Sequence, residues 1–221
     1  VIARQWRAIG IKRITTPVLE LIAEYFAAEG RTPKGRKARS AIFKATSTLM
    51  TRQGLEATSL EAIASRAGLT QAALRHYFAT REDLLHAFFV AATRWFRNKV
   101  AELLEDGDRP ARVQLENCIA WHLEYMEEVD TAFWLEGSAY WLRHPPPRHT
   151  RDEFYRWLLR QYAGLIRKIQ PAMSTRESQR RAYILLTLVL GSWITHGRGS
   201  AVAGAGSAIE QRRLLVATAM E

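Results

Sequence analysis

The sequence holds a single cysteine, Cys118, among its 221 residues, so it has neither an intramolecular disulfide nor a thiolate cluster for a metal. A reducing, cytoplasmic setting is the expectation. Long apolar runs are also missing. The longest, Tyr183 to Ile194, is broken by Thr187, Gly191 and Ser192 and falls short of the ~20 residues that cross a bilayer. Neither a membrane partner nor a secretory signal is expected. Nowhere do apolar and polar residues alternate long enough to make a convincing strand. Prolines are few, and three stand together at Pro145 to Pro147, where they predict a loop.

The chain is rich in hydrophobic residues, at 48%, and in positive charge, at a net +10. That composition supports a real core and favours a polyanionic partner. The charge is uneven: residues 1–90 carry 14 Lys and Arg against 7 Asp and Glu, and residues 91–221 carry 18 against 15. A basic first part joined to a nearly balanced body suggests two tasks.

Helical periodicity dominates, and the fold class is all-α. Helices are predicted near 17–29, 39–53, 59–66, 70–77, 81–105, 110–128, 131–142, 151–169, 175–196 and 208–219. Several starts carry a hydroxyl cap with an acid three residues on: Thr58 with Glu61, Thr150 with Glu153, Ser174 with Glu177 and Ser207 with Glu210, with Thr80 and Asp83 a weaker version. Three domains follow: an extension at 1–37, a helix-turn-helix domain at 38–85 and a helical body at 86–221. The extension pairs an amphipathic helix carrying Val18, Leu21, Ile22, Tyr25 and Phe26 with a tether, RTPKGRKARS, whose Pro and Gly argue against a helix of its own. Lys37 and Arg39 on that tether are candidate phosphate or minor-groove contacts, with a solvated linker as the alternative. Residues 197–206 are Gly-rich and read as a flexible connection.

The segment most suggestive of a function is TSLEAIASRAGLTQAALRHYF, residues 58–78. It holds two short helices around Gly68, with Leu60, Ile63, Ala64 and Leu74 facing inward and Thr70 capping the second helix. Spacing alone also fits a helical hairpin inside a bundle. From about Ala38 to Leu85, however, the sequence resembles the DNA-binding region of the tetracycline-repressor (TetR) family, through a helix ending at Gly54, then ATSLEAIASRAGLTQAALRHYF, then ATREDLL.

The resemblance implies that Thr58, Ser59 and Thr70 meet phosphates, and that Arg81 stands where the family usually has a phosphate-contacting Lys. Gln71, Ala72, Arg75 and His76 lie on the reading helix as candidates for base or groove contact, since Gln and Arg pair with adenine and guanine edges. Tyr77 closes that helix, with packing as its alternative role. Ala72, Arg75 and Tyr77 depart from the common family residues, and for Arg75 a guanine contact, a phosphate contact and a solvated charge all stay open.

The body, from 81 on, shows no catalytic constellation and no metal set, and neither a cofactor nor an enzymatic role is expected. His122 and His196 lie on apolar helices without a usefully spaced carboxylate, and Cys118 reads as a small buried hydrophobe. Aromatic residues are dense there. The resemblance implies a pocket for a small apolar or aromatic effector, with Trp121, His122, Tyr125, Trp134 and Trp141 as its candidate lining. It also implies a homodimer formed by the last two long helices, for which Leu158, Leu165, Leu186, Val189, Leu190 and Trp193 are the candidate contacts. The function expected is a ligand-released repressor that binds an inverted-repeat operator in double-stranded DNA. The alternative is an enzyme whose small-molecule site lies in the aromatic body.

Overall fold

In the computed structural model, residues 18–105, 109–195, 197–198 and 208–220 are described, and they form helices without a β-strand. In chain order these are α1 (Val18–Ala28), α2 (Pro33–Gln53), a 3-10 turn (Leu55–Ala57), α3 (Leu60–Ala67), α4 (Gln71–Tyr77), α5 (Arg81–Leu104), α6 (Ala111–Glu128), α7 (Thr131–Arg143), α8 (Pro145–Ile169), α9 (Thr175–Thr195) and α10 (Ala208–Met220). The chain divides into two compact units. Of the described residues, a head takes those within 18–97 and 132–152, and a body takes those within 98–131 and 153–220. No described helix is long and apolar enough to cross a membrane. The expected helix at His196 and the Ser207 cap lie outside the described residues.

Three expectations fail at helix starts, one of them the cap at Thr58, since Ser59 caps α3 instead. Residues 33–40, read as a tether, form the first two turns of α2. Thr32 caps that helix by accepting from Gly35 N at 3.0 Å, and Pro33 follows at the first helical positions. Proline suits that place because its fixed φ is helical and the N–H it lacks would have no partner in a first turn. The same physics overturns the predicted loop at Pro145 to Pro147: the three prolines open α8, and Thr150, read as a cap, sits inside the helix with its hydroxyl directed at Pro146 O. The Ser174 and Thr80 caps hold. Ser174 Oγ accepts from Glu177 N at 3.2 Å, and Thr80 and Asp83 bond reciprocally at 3.0 and 3.1 Å.

The head core is aromatic. Phe26 of α1 lies 5.4 Å from Phe43 and 5.9 Å from Phe78, centroid to centroid, and Phe43 stacks on Phe88 at 4.3 Å. Val18 and Ile22 are buried with them, so the extension helix is part of the head core. Arg39 closes this cluster from above: its guanidinium stands 4.3 Å over the Phe26 ring, donates to Phe26 O at 3.0 Å and pairs with Glu29.

In the body, α6 is buried nearly all round, including Gln114, Asn117, Cys118, His122 and Glu124. The Tyr162 hydroxyl of α8 lies 3.0 Å from His122 Nδ1, a hydrogen bond between two side chains that are 0% and 3% exposed. Burial lowers the His122 pKa to about 3, pushes the Cys118 thiol up to about 12 and raises Tyr162 well above its ordinary range. All three are neutral near pH 7, and Cys118 behaves as the small hydrophobe expected.

Because folding depresses the His122 pKa, acid protonates the unfolded chain first. Stability from this group is complete above pH ~6.5 and falls as pH drops from there toward 3. Urea unfolding between pH 7.5 and 4.5 should show a decline that His122→Phe reduces; an unchanged slope in that variant would remove His122 as its source.

Candidate nucleic-acid interface

The two short helices of the head are defined by their ends. Ser59 sits in extended backbone, and its side chain accepts from Ala62 N at 3.1 Å, while Thr70 does the same for Ala73 N at 3.1 Å. Between them, Gly68 takes the left-handed conformation at φ 67°. Leu69 N donates to Ala64 O at 2.9 Å and Gly68 N to Ser65 O at 3.2 Å, the paired bonds that close a helix at a glycine. Ile63 and Leu74, both 0% exposed, join the two helices to the core.

The opposite side of α4 is open. Gln71, Ala72, Arg75 and His76 are exposed together, one face of a two-turn helix. Gln71 and Arg75 make no hydrogen bond or ion pair with any described residue, so their donors face solvent. Ser59 and Thr70 are exposed at the N-terminal ends of α3 and α4, where hydroxyls and backbone N–H groups can receive a phosphate. Tyr77 is half-buried, with its ring 5.6 Å from that of His76. Lys37 is exposed on the second turn of α2.

Three candidate DNA contacts are engaged inside the head instead. Thr58 is fully buried and donates its hydroxyl to Leu55 O at 2.5 Å, so as folded it cannot meet a phosphate. Arg81 donates through Nε to Thr58 O at 2.9 Å and through Nη2 to Leu55 O at 2.8 Å, fastening the turn ahead of α3. Arg39 is held over Phe26 as described. In each case the cation or hydroxyl donates to a backbone carbonyl and is thereby held within the head.

The effector candidates divide between the units. Trp121, His122 and Tyr125 belong to the body, where Trp121 and Tyr125 rings lie 5.7 Å apart and Tyr125 meets Trp193 edge-on at 5.6 Å. Trp134 and Trp141 lie on α7 in the head, with Trp141 against Phe89 at 5.5 Å.

The dimer candidates lie mostly inside the body. Leu158, Leu165, Leu186, Val189 and Trp193 are 1–6% exposed and form the body's own core, and Leu190 is half-buried. The outward stripe of α9 is a different set: Tyr183 at 64%, Ile184 at 38%, Leu188 at 37% and Ile194 at 59% exposed, with Thr187 and Gly191 between them. Beside it, Arg156, Arg160 and Arg167 of α8 line a groove of about 500 Å³ with Tyr183, and none of the three pairs with a described acid. Sorting the helix by face, rather than by apolar content, is the sequence signal that would have found the stripe.

Residues 42–88 match the family described as bacterial regulatory proteins, tetR family. The chain is 40% identical over 126 residues to the HTH-type transcriptional regulator PksA of Bacillus subtilis (strain 168), a match covering 53% of this chain and 55% of PksA, about half of that protein. Among solved structures, the fold is shared with SCO4454, a TetR-family transcriptional regulator from Streptomyces coelicolor, at TM-score 0.67 and 18% identity over 89% of this chain and 99% of that one. It is also shared with a Saccharomonospora viridis protein in complex with choline, at TM-score 0.62 and 21% identity over 82% and 94%. A capped helix-turn-helix in the matched segment, inside an all-helical chain with this fold, leads to one conclusion: residues 42–88 form a helix-turn-helix domain similar to that of the tetR family of bacterial regulatory proteins.

Proposed function

We propose that the chain is a transcriptional regulator that reads an inverted-repeat operator as a homodimer and is released from it by a small effector. The observation that carries DNA reading is the exposed α4 face, where Gln71 and Arg75 stand without partners between two hydroxyl-capped helix ends. Such a face suits the major groove, with Ser59, Thr70 and Lys37 on phosphates. The family match, rather than any missing catalytic group, favours a regulator over an enzyme.

Dimerisation rests on the α9 stripe. Four large apolar side chains exposed along one helix want a cover, and a second copy supplies the two-fold symmetry that two half-sites require. The effector reading rests on the Trp121, Tyr125 and Trp193 rings together with the His122–Tyr162 pair, an apolar wall with a polar anchor. A small apolar or aromatic molecule suits that wall, and the choline complex shows a small molecule bound to a protein of this fold.

Selection of duplexes from a random pool at near-physiological salt should enrich an inverted repeat, and failure to enrich one sinks the operator reading. On the selected site, Arg75→Ala should cost about 1–3 kcal/mol and relax preference at one position per half-site; equal loss on all sequences would make Arg75 a phosphate contact. Leu188→Arg puts an unpaired charge on the apolar stripe and should weaken the dimer by about 3 kcal/mol or more in sedimentation analysis. A dimer of wild-type strength in that variant would move the interface elsewhere. An effector found by thermal shift should lose its effect in Trp121→Ala while Trp134→Ala keeps it; the reverse result would place the effector in the head.

A further inference from the structure

The turn that precedes the reading helices is held from both sides by opposite charges. Within residues 54–58 the local bonds run from Ala57 N to Gly54 O and from Thr58 N to Leu55 O, which leaves Leu55 N–H without a backbone acceptor. The Glu136 carboxylate of α7 takes that donor, across 81 residues of sequence. Arg81 of α5 takes the other side, donating to Leu55 O and Thr58 O at 2.8 and 2.9 Å and to Thr58 Oγ1 at 3.1 Å. Leu55 therefore has an anion at its N–H and a cation at its carbonyl.

Gly54 makes the grip possible. Its φ of 84° is open to glycine, and a Cβ there would stand 2.9 Å from Glu136 Oε1. Four residues after Leu55 comes Ser59, the cap of α3. The start of the helix-turn-helix is thus anchored by a side chain from a helix far outside the family-matched segment.

We propose that Glu136 is the positioning residue through which α7 holds the reading helices in their DNA-competent place. Charge-assisted bonds to backbone groups are the strong ones, and removing one partner of a part-buried pair leaves the other unsatisfied. Any rearrangement of α7 that withdraws Glu136 frees the corner on one side while Arg81 still grips it on the other. The reading helices then lose position while the rest of the head stays folded. This rests on the DNA-reading proposal above, so its test carries one readout that does not involve DNA.

The full-length chain is compared with Glu136→Ala and Glu136→Gln, the amide oxygen of Gln keeping an acceptor. Amide hydrogen exchange at Leu55 and along α3 and α4 should quicken about tenfold in the Ala variant, with α9 unchanged, and the Gln variant should return most of the protection. Affinity for the selected duplex should fall about tenfold in the Ala variant, and affinity for a scrambled duplex should stay within about twofold. Wild-type exchange at Leu55 in Glu136→Ala, or equal loss on selected and scrambled duplexes, overturns the proposal. If the wild-type chain selects no duplex, the operator reading falls, and the exchange comparison alone decides whether Glu136 holds α3 and α4.

Discussion

Everything the head can do depends on keeping two very short helices folded. At 8 and 7 residues, α3 and α4 lie well below the length at which a helix persists by itself, roughly 12–15 residues. What maintains them is end satisfaction and anchoring. Ser59 and Thr70 occupy the free donors at their starts, Gly68 closes the end of α3, and Ile63 and Leu74 fix them to a core built by α1, α2 and α5. The Glu136 and Arg81 contacts extend the same logic one turn upstream. In this region each polar side chain that faces inward meets a backbone group, and the side chains left over on α4 are the ones available to a partner.

That division sharpens the meaning of the positive charge. Arg39 and Arg81 are committed to Phe26 O, Leu55 O and Thr58 O, so they add to the net charge of the head without adding phosphate contacts. Arg31, Lys34, Lys37, Lys44, Arg52, Arg66 and Arg75 are among those that remain exposed. Since the salt dependence of DNA binding follows the number of phosphates neutralised, the relevant count is that of free cations and not the formal +10.

What was legible in the sequence was local. The caps at Thr70, Thr80 and Ser174 and the turn at Gly68 depend on residues within one helical turn of each other, and they could be read without a fold, whereas the cap of α3 was expected at Thr58 and falls one residue on, at Ser59. Pro33 and Pro145 to Pro147 could not, because a proline in a loop and a proline in a first helical turn carry the same short-range signature; only the continuation of the helix distinguishes them. Burial was legible as apolar content, and its direction only through the helical face on which a residue stands. Leu186 and Leu188 are two residues apart on one helix, yet the first is core and the second surface, and nothing in their chemistry separates them. The bond from Leu55 to Glu136 had no signal at all, since it joins an ordinary helix acid to a backbone N–H.

The same distinction decides how one reading helix becomes a specific reader. A two-turn helix presents only Gln71 and Arg75 as long polar side chains, and each good base contact contributes about 1–3 kcal/mol of discrimination. One head therefore commands a few kcal/mol, too little to select a site among the many non-specific ones a genome offers. Doubling the contacts on a fixed spacing multiplies the selectivity of the two half-sites, but only if both heads are held rigidly. In the dimer proposed above, the apolar stripe on α9 is the surface for the doubling, and the proposed grip of α5 and α7 on the Gly54–Thr58 turn is the source of rigidity within each head. A regulator that could loosen either one would lose the operator without unfolding, which is the economy a reversible switch needs.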